Sequence, residues 1–158
     1  MAPESGPGRG EGLMIRPLEH GDAALAVALS RLAPGASLWP EASYRLAPET
    51  GFRGWAALQD GGFVGFLIAR CAAGEAEVLN LAVGPSFRRR GIATALLGAA
   101  LADFREHSVR RVFLEVRASN EPAIRFYEVS GFTATGRRPT YYSNPPDDAI
   151  RMSLDLEA

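Results

Sequence analysis

The sequence is poor in the residues that build metal and redox centres. Its 158 residues include one cysteine, Cys71, and two histidines, His20 and His107. A single thiol cannot close an intramolecular disulfide, which fits a reducing cytoplasm. The histidines stand far apart with no cysteine or carboxylate cluster at ligand spacing, which disfavours a zinc site. An excess of one charge is also missing, because 17 Lys plus Arg against 18 Asp plus Glu leave a formal net charge of −1. Such a chain has no general attraction for nucleic acid or an anionic membrane. No apolar run approaches the ~20 residues that a membrane-spanning helix requires. Two nucleotide signatures are absent as well: G-x-x-x-x-G-K-[ST], and G-x-G-x-x-G after a first strand. Residues 1–12 are rich in Gly and Pro, lack the apolar core of a signal peptide and read as a disordered extension.

What remains is an ordinary globular composition, 47% hydrophobic and 22% charged, expected to form one domain over residues 13–158. Residues 13–16 look like a short first strand. Asp22 is a fitting N-cap for a helix that ends near Pro34-Gly35. Trp39-Pro40 is expected to open a shorter helix through about Leu46. Two apolar runs flank Asp60-Gly61-Gly62, a hairpin signal, and a second tight turn at Ala73-Gly74 extends them into a three-stranded meander. Ile92, Ala95, Leu96, Ala99, Ala100 and Phe104 recur at helical spacing. A branched strand follows over 111–116, then a helix opened by Asn120 and Pro122 and stopped by Gly131. Residues 132–135 and 149–156 read as closing strands around a Tyr/Asn/Pro loop. The order is a mixed α/β layer fold rather than a doubly wound one.

The densest information lies in residues 79–97, where an apolar strand runs through a basic, glycine-containing turn directly into a helix. The first turn of a helix has unpartnered N–H groups and carries the positive end of the macrodipole. Arg88, Arg89, Arg90 and Gly91 at that point make a seat for a phosphate or pyrophosphate. Alone, Arg88-x-x-Gly91-x-Ala93 is short enough to be a solvated surface turn.

A second stretch, 114–132, removes much of that ambiguity. The pieces Asn80 to Val83, Arg88-x-x-Gly91-x-Ala93, Glu115-x-x-x-x-Asn120, Phe126-Tyr127-Glu128 with Gly131-Phe132, and Tyr141-Tyr142 before Asp147-Asp148-Ala149-Ile150-x-Met152 occur together and in order. From Leu13 onward the chain resembles the GCN5-related N-acetyltransferases, and within them the ribosomal-protein-alanine acetyltransferases. The resemblance implies a mostly antiparallel mixed sheet splayed between strands 4 and 5, with helices on both faces. It implies acetyl-coenzyme A as co-substrate and no metal. The pantetheine arm would lie against the backbone of Leu81, Ala82 and Val83, and the pyrophosphate on Arg88, Arg89, Arg90, Gly91, Ile92, Ala93 and Thr94, with Asn120 and Tyr127 also touching the cofactor.

Acetyl transfer from a thioester to an amine requires that the ammonium lose a proton, that the oxyanion be stabilised and that the departing thiolate be protonated. Glu115 is an ionisable residue inside an apolar strand; on its own it reads either as an edge carboxylate or as a group buried for a purpose. By resemblance it is the general base. Tyr127, read alone, is an aromatic core residue; by resemblance its phenol protonates the thiolate. An α-amine, with a reference pKa of about 8 against about 10.4 for lysine, is the acceptor a glutamate deprotonates more easily. Trp39, Tyr141 and Tyr142 are expected in loops over the acceptor end. Cys71 could in principle carry an acyl group, but beside Arg70 late in a strand it reads as a small packed residue.

The implied function is acetylation of a protein N-terminal α-amine, namely the N-terminal alanine of a small-subunit ribosomal protein, by direct transfer in a ternary complex. The alternatives are the same chemistry on a small-molecule amine, or a non-catalytic acetyl-CoA-binding module. A cytoplasmic monomer or weak dimer is expected, with a peptide N-terminus as partner and neither nucleic acid nor membrane.

Overall fold

A computed structural model describes residues 12–33, 36–45 and 50–156. The expected extension, 1–12, lies outside these except for Gly12. Seven strands form one sheet: β1 (Leu13–Pro17), β2 (Phe52–Gln59), β3 (Gly62–Ala72), β4 (Glu75–Val83), β5 (Arg111–Arg117), β6 (Thr133–Ser143) and β7 (Pro146–Asp155). Their order is β1-β2-β3-β4-β5-β7-β6. Every neighbouring pair is antiparallel except β4 and β5. Three α-helices accompany them: α1 (Ala23–Leu32), α2 (Ile92–Glu106) and α3 (Glu121–Val129).

Local chemistry explains the meander. Asp60 and Gly61 join β2 to β3 with φ of 51° and 87°, and Ala73 and Gly74 join β3 to β4 with φ of 53° and 80°. Two successive positive φ angles make the turn whose twist matches that of the flanking strands. A single crossover, α2, carries the chain from β4 to the parallel β5.

The sheet buries both faces. On one, α2 and α3 cover Val64, Leu67, Val78, Val112, Leu114, Val116 and Met152, with Ile92, Leu96, Ala100 and Phe104 as the buried stripe of α2. On the other, α1 and the 3₁₀ turn Glu41–Tyr44 pack on Phe66, Ile68 and Ala82. An irregularity in the β3–β4 register between Ile68 and Ala69 lets β4 change its alternation: Ala76 and Val78 face α2, whereas Asn80 and Ala82 face α1. Helices therefore lie on both faces, as expected.

Three local expectations differ from the structure. The helix after Trp39-Pro40 is only the 3₁₀ turn Glu41–Tyr44, and Leu46 lies outside the described residues. Asp22 precedes α1 but makes no side-chain cap on it; its carboxylate accepts instead from Arg16 Nη1 and Nη2 at 2.7 and 3.0 Å and from the Glu19 amide at 2.7 Å. A bidentate pair with a guanidinium outcompetes a cap to one backbone amide. The closing strand expected over 132–135 runs on as β6 to Ser143, so Tyr141 and Tyr142 stand at the end of a strand and not in a loop. Pairing with β7 extends it through a segment whose register breaks between Arg138 and Tyr142.

Candidate active site

The β4–β5 pairing stops early. The two strands are in register only from Glu75 with Arg111 to Val78 with Leu114. Beyond that, residues 79–83 have β3 on one side and no strand on the other, while residues 115–117 keep only β7, which pairs with all of Arg111–Arg117. The backbone edge of Leu81, Ala82 and Val83 that faces β5 is therefore unpaired inside the sheet. Strand-edge N–H and C=O groups there are an open ladder for an extended, amide-containing ligand.

The chain leaves β4 through a basic turn with two positive-φ residues that opens α2. Arg89 and Gly91 both adopt positive φ, 63° and 77°, alternating with ordinary conformations in the manner of a backbone nest. Gly91 is the N-cap of α2, and a Cβ added there would meet nothing within 4 Å. Its lack of a side chain serves the left-handed backbone and keeps that surface open. The first helical hydrogen bond of α2 runs from the Ala95 amide to Gly91 O at 2.9 Å, so the amides of Ile92, Ala93 and Thr94 have no carbonyl of the helix to bind. Arg88, Arg89 and Arg90 are all exposed. Arg90 stacks over Phe87 at 5.3 Å, whereas among the described residues Arg88 and Arg89 have no side-chain partner.

Glu115 sits where β5 departs from β4. Val112, Leu114 and Val116 face the core beneath α2 and α3, so the alternation of a strand turns Glu115 to the opposite face. Its side chain is only 11% exposed, and Arg138 Nε of β6 approaches its Oε2 at 2.6 Å. That ion contact is out of line for a hydrogen bond, and Oε2 is buried without a hydrogen-bond partner among the described residues. A buried carboxylate oxygen with spare lone pairs can still accept a hydrogen bond. The surroundings are charged. Burial, and secondly the charge of Glu115, push the Glu77 carboxyl of β4 above the ordinary glutamate range, opposed by Arg151, Arg138 and Arg70.

Tyr127 lies in the core on the α2–α3 face of the sheet, the face opposite Glu115. It is 7% exposed and packs edge-on against Phe126 and Phe132 at 5.2 and 5.5 Å. Its hydroxyl makes no hydrogen bond among the described residues. Burial pushes the phenol far above its ordinary pKa, so it stays protonated at any pH near neutrality. Asn120 caps α3, its Oδ1 accepting from the Ala123 amide at 3.3 Å.

The aromatic residues divide. Arg138 spans from Glu115 to a position 5.5 Å from the Tyr141 ring centroid, and Tyr141 meets Tyr142 edge-on at 5.1 Å. Tyr142 carries Arg117 over its face at 4.3 Å, and burial followed by the Glu115 charge raises its phenol. The structure thus brings Tyr141 and Tyr142 to Glu115. Asp148 holds the irregular stretch of β6, accepting from the Thr140 amide at 2.8 Å and Arg137 Nε at 2.7 Å. Asp147 accepts from the Ser119 hydroxyl at 2.5 Å and ties the β6–β7 hairpin to the residue before Asn120. Trp39 is half-buried, 5.4 Å from the Tyr44 ring on the α1 face. Sequence reasoning missed Arg138, whose partner lies 23 positions away, and nothing local to Arg137-Arg138 singles it out. Cys71 stays apart from this site; burial raises its thiol, which makes it a poor nucleophile. Among the described residues no helix is long and apolar enough to cross a membrane.

A model of the acetyltransferase (GNAT) family matches residues 25–132. Over 120 residues the chain is 32% identical to the ribosomal protein bS18-alanine N-acetyltransferase of Escherichia coli strain K12, covering 75% of this chain and 81% of that one. The crystal structure of the ribosomal-protein-S18-alanine N-acetyltransferase from Escherichia coli superposes with a TM-score of 0.82 at 30% identity, over 92% of this chain and 95% of that one. Ard1 from Thermoplasma volcanium gives a TM-score of 0.83 at 30% identity, over 93% of this chain and 99% of that one. The matched residues include the opened strand pair, the turn that leads out of it and the helix bearing Tyr127, and the chain belongs to the GNAT family of acetyltransferases.

Proposed function

We propose that the protein moves the acetyl group of acetyl-CoA to the N-terminal α-amine of a protein, and that the acceptor is the N-terminal alanine of a ribosomal protein. The observation that carries the chemistry is the buried, hydrogen-bond-free Oε2 of Glu115 beside an opened parallel strand pair. The Escherichia coli relative, an alanine N-acetyltransferase acting on a ribosomal protein, supports the acceptor class in both sequence and structure.

In this reading the pyrophosphate lies on Arg88, Arg89, Arg90 and Gly91 and on the free amides of Ile92, Ala93 and Thr94. The pantetheine amides pair with the open edge of Leu81, Ala82 and Val83, and Asn120 adds a polar contact. Glu115 accepts a proton from the incoming ammonium. The freed amine attacks the thioester carbonyl, and a β4 amide near Leu81–Val83 stabilises the oxyanion. The tetrahedral intermediate then collapses: the C–S bond breaks, Tyr127 gives its proton to the thiolate, and the nitrogen gives its second proton to water. Solvent reprotonates the phenol. Tyr141, Tyr142 and Trp39 contact the acceptor peptide.

The decisive experiment incubates the protein with acetyl-CoA and peptides that differ in their first residue, beside lysine peptides with blocked N-termini and polyamines. Acetylation confined to free α-amines, with alanine foremost, is the expected result. Turnover of polyamines or lysine side chains in preference to α-amines refutes the reading.

A further inference from the structure

Asn80 is a polar residue on a strand face where its neighbours are apolar. It is 4% exposed, among Ala82, Phe66, Ile68 and Tyr44. Leucine or valine would pack there at no polar cost, whereas an amide buried without partners costs about 1–3 kcal/mol. The side chain is nevertheless satisfied, chiefly by one residue. Oδ1 accepts from the Ser37 amide at 3.2 Å, and Nδ2 donates to Ser37 O at 3.1 Å. A single side chain thus treats residue 37 as a strand would, engaging both its backbone groups from 43 positions away. Nδ2 also lies 3.4 Å from Tyr44 Oη, which shares a hydrogen bond of 2.9 Å with Ser30 Oγ, and Ser30 donates to Ala26 O at 2.8 Å. A buried polar line therefore runs from α1 to β4.

Among the described residues the segment that Asn80 grips is otherwise held by the Ala36 amide donating to Ala33 O at 3.2 Å, by Pro40 O accepting from the Ser43 amide at 3.0 Å, and by Ala36 and Trp39 packing on the α1-side core. Leu38 is 71% exposed. A hollow of about 200 Å³, lined by Val27, Ser30, Arg31, Leu38 and Trp39, separates the segment from tight packing on α1. Trp39 leans on Tyr44. On its other side Asn80 continues directly into Leu81, Ala82 and Val83, the strand edge left open by β5. One residue therefore has its backbone in the donor strand and its side chain on the 36–40 loop.

We propose that Asn80 is a positioning residue that sets the place of the 36–40 loop, and with it the acceptor, relative to the strand that holds the acyl donor. This rests on the reading of that loop as part of the acceptor cleft. Because a misplacement of about 1 Å can cost about 100-fold in rate, releasing the clamp penalises the acceptor half of the reaction and spares donor binding.

The test uses the full chain and two variants, Asn80→Leu, which keeps the volume and deletes the hydrogen bonds, and Asn80→Asp, which keeps the acceptor for the Ser37 amide and removes the donor to Ser37 O. Acetyl-CoA affinity is measured by calorimetry, KM and kcat with the best amine acceptor of the parent enzyme, and amide hydrogen exchange over 36–40 and 79–83. In Asn80→Leu the acceptor KM is expected to rise, or kcat to fall, at least tenfold while acetyl-CoA affinity stays within threefold. Exchange should quicken at 36–40 and not at 79–83 in both variants. A folded variant with unchanged acceptor kinetics, or one losing donor affinity in parallel, overturns the proposal. Should Asn80→Leu not fold, Asn80→Asp decides by the same criteria. If the parent acetylates no α-amine, the proposed function fails, while exchange over 36–40 still decides whether the clamp exists.

Discussion

Replacement of Tyr127 by phenylalanine separates catalysis from stability more cleanly than any other single change in this protein. The ring stays, with its edge-on contacts to Phe126 and Phe132, and only the hydroxyl is lost. That hydroxyl makes no hydrogen bond among the described residues, so no partner is orphaned and stability near neutral pH should change by less than about 1 kcal/mol. Catalysis should suffer far more, since a positioned acid contributes about 10²–10⁴-fold, or about 3–5 kcal/mol of barrier. A second signature follows from burial, which raises the folded-state pKa of the phenol. The unfolded phenol ionises near pH 10 and the folded one well above it. The unfolded state thus loses its proton first, and the native protein should lose about 1.4 kcal/mol of stability per pH unit above pH 10 on this account. Tyr127→Phe removes this alkaline loss, and Tyr142, present in both proteins, cancels from the difference. Steady-state kinetics with saturating acetyl-CoA and urea denaturation from pH 7 to 11 provide both readouts. Undiminished kcat would refute the acid assignment, and identical alkaline stability curves would refute the burial argument.

Glu115→Gln should lower kcat by about 10²–10⁴-fold with acetyl-CoA affinity retained; calorimetry beside kinetics separates the two. Gly91→Val forces a branched side chain to φ of 77° at the mouth of the anion seat, so acetyl-CoA affinity should fall at least tenfold, more than that of a CoA fragment lacking the phosphates. Cys71→Ala should leave kcat unchanged. The chain contains no lysine, so an acetylated enzyme seen by intact mass after acetyl-CoA alone, and lost in that variant, would point to an acyl-cysteine. Asp22→Asn breaks a bidentate pair with Arg16 and should cost about 1–3 kcal/mol by chemical denaturation at pH 7. Because Arg16 holds the Asp22 carboxyl below its usual range, the pair's contribution is present above about pH 4 and fades as pH falls below it. The difference between the two proteins should therefore shrink at pH 2–3.

Features encoded within a few residues were legible in the chain. The two tight turns of the meander, the apolar stripe of α2, the cap at Asn120 and the glycine-containing turn that opens α2 each depend on neighbours one to four positions away. Such interactions survive in any fold that contains them. The widening gap between β4 and β5 was anticipated only through resemblance, because no local pattern states where two strands stop pairing. The length of β6, the diversion of Asp22 to Arg16, the Arg138 contact on Glu115 and the Asn80 grip on Ser37 were not legible at all. Each depends on which segment lies alongside which, and that choice is made by packing a whole sheet between two layers of helix. The sequence by itself determined what kinds of groups the protein brings to bear: a basic, glycine-containing turn at a helix start, a carboxylate in an apolar strand, a tyrosine on a short helix. Only the tertiary structure decided that one oxygen of that carboxylate is buried without a hydrogen bond beside an open strand edge, because burial and strand pairing are properties of distant segments meeting.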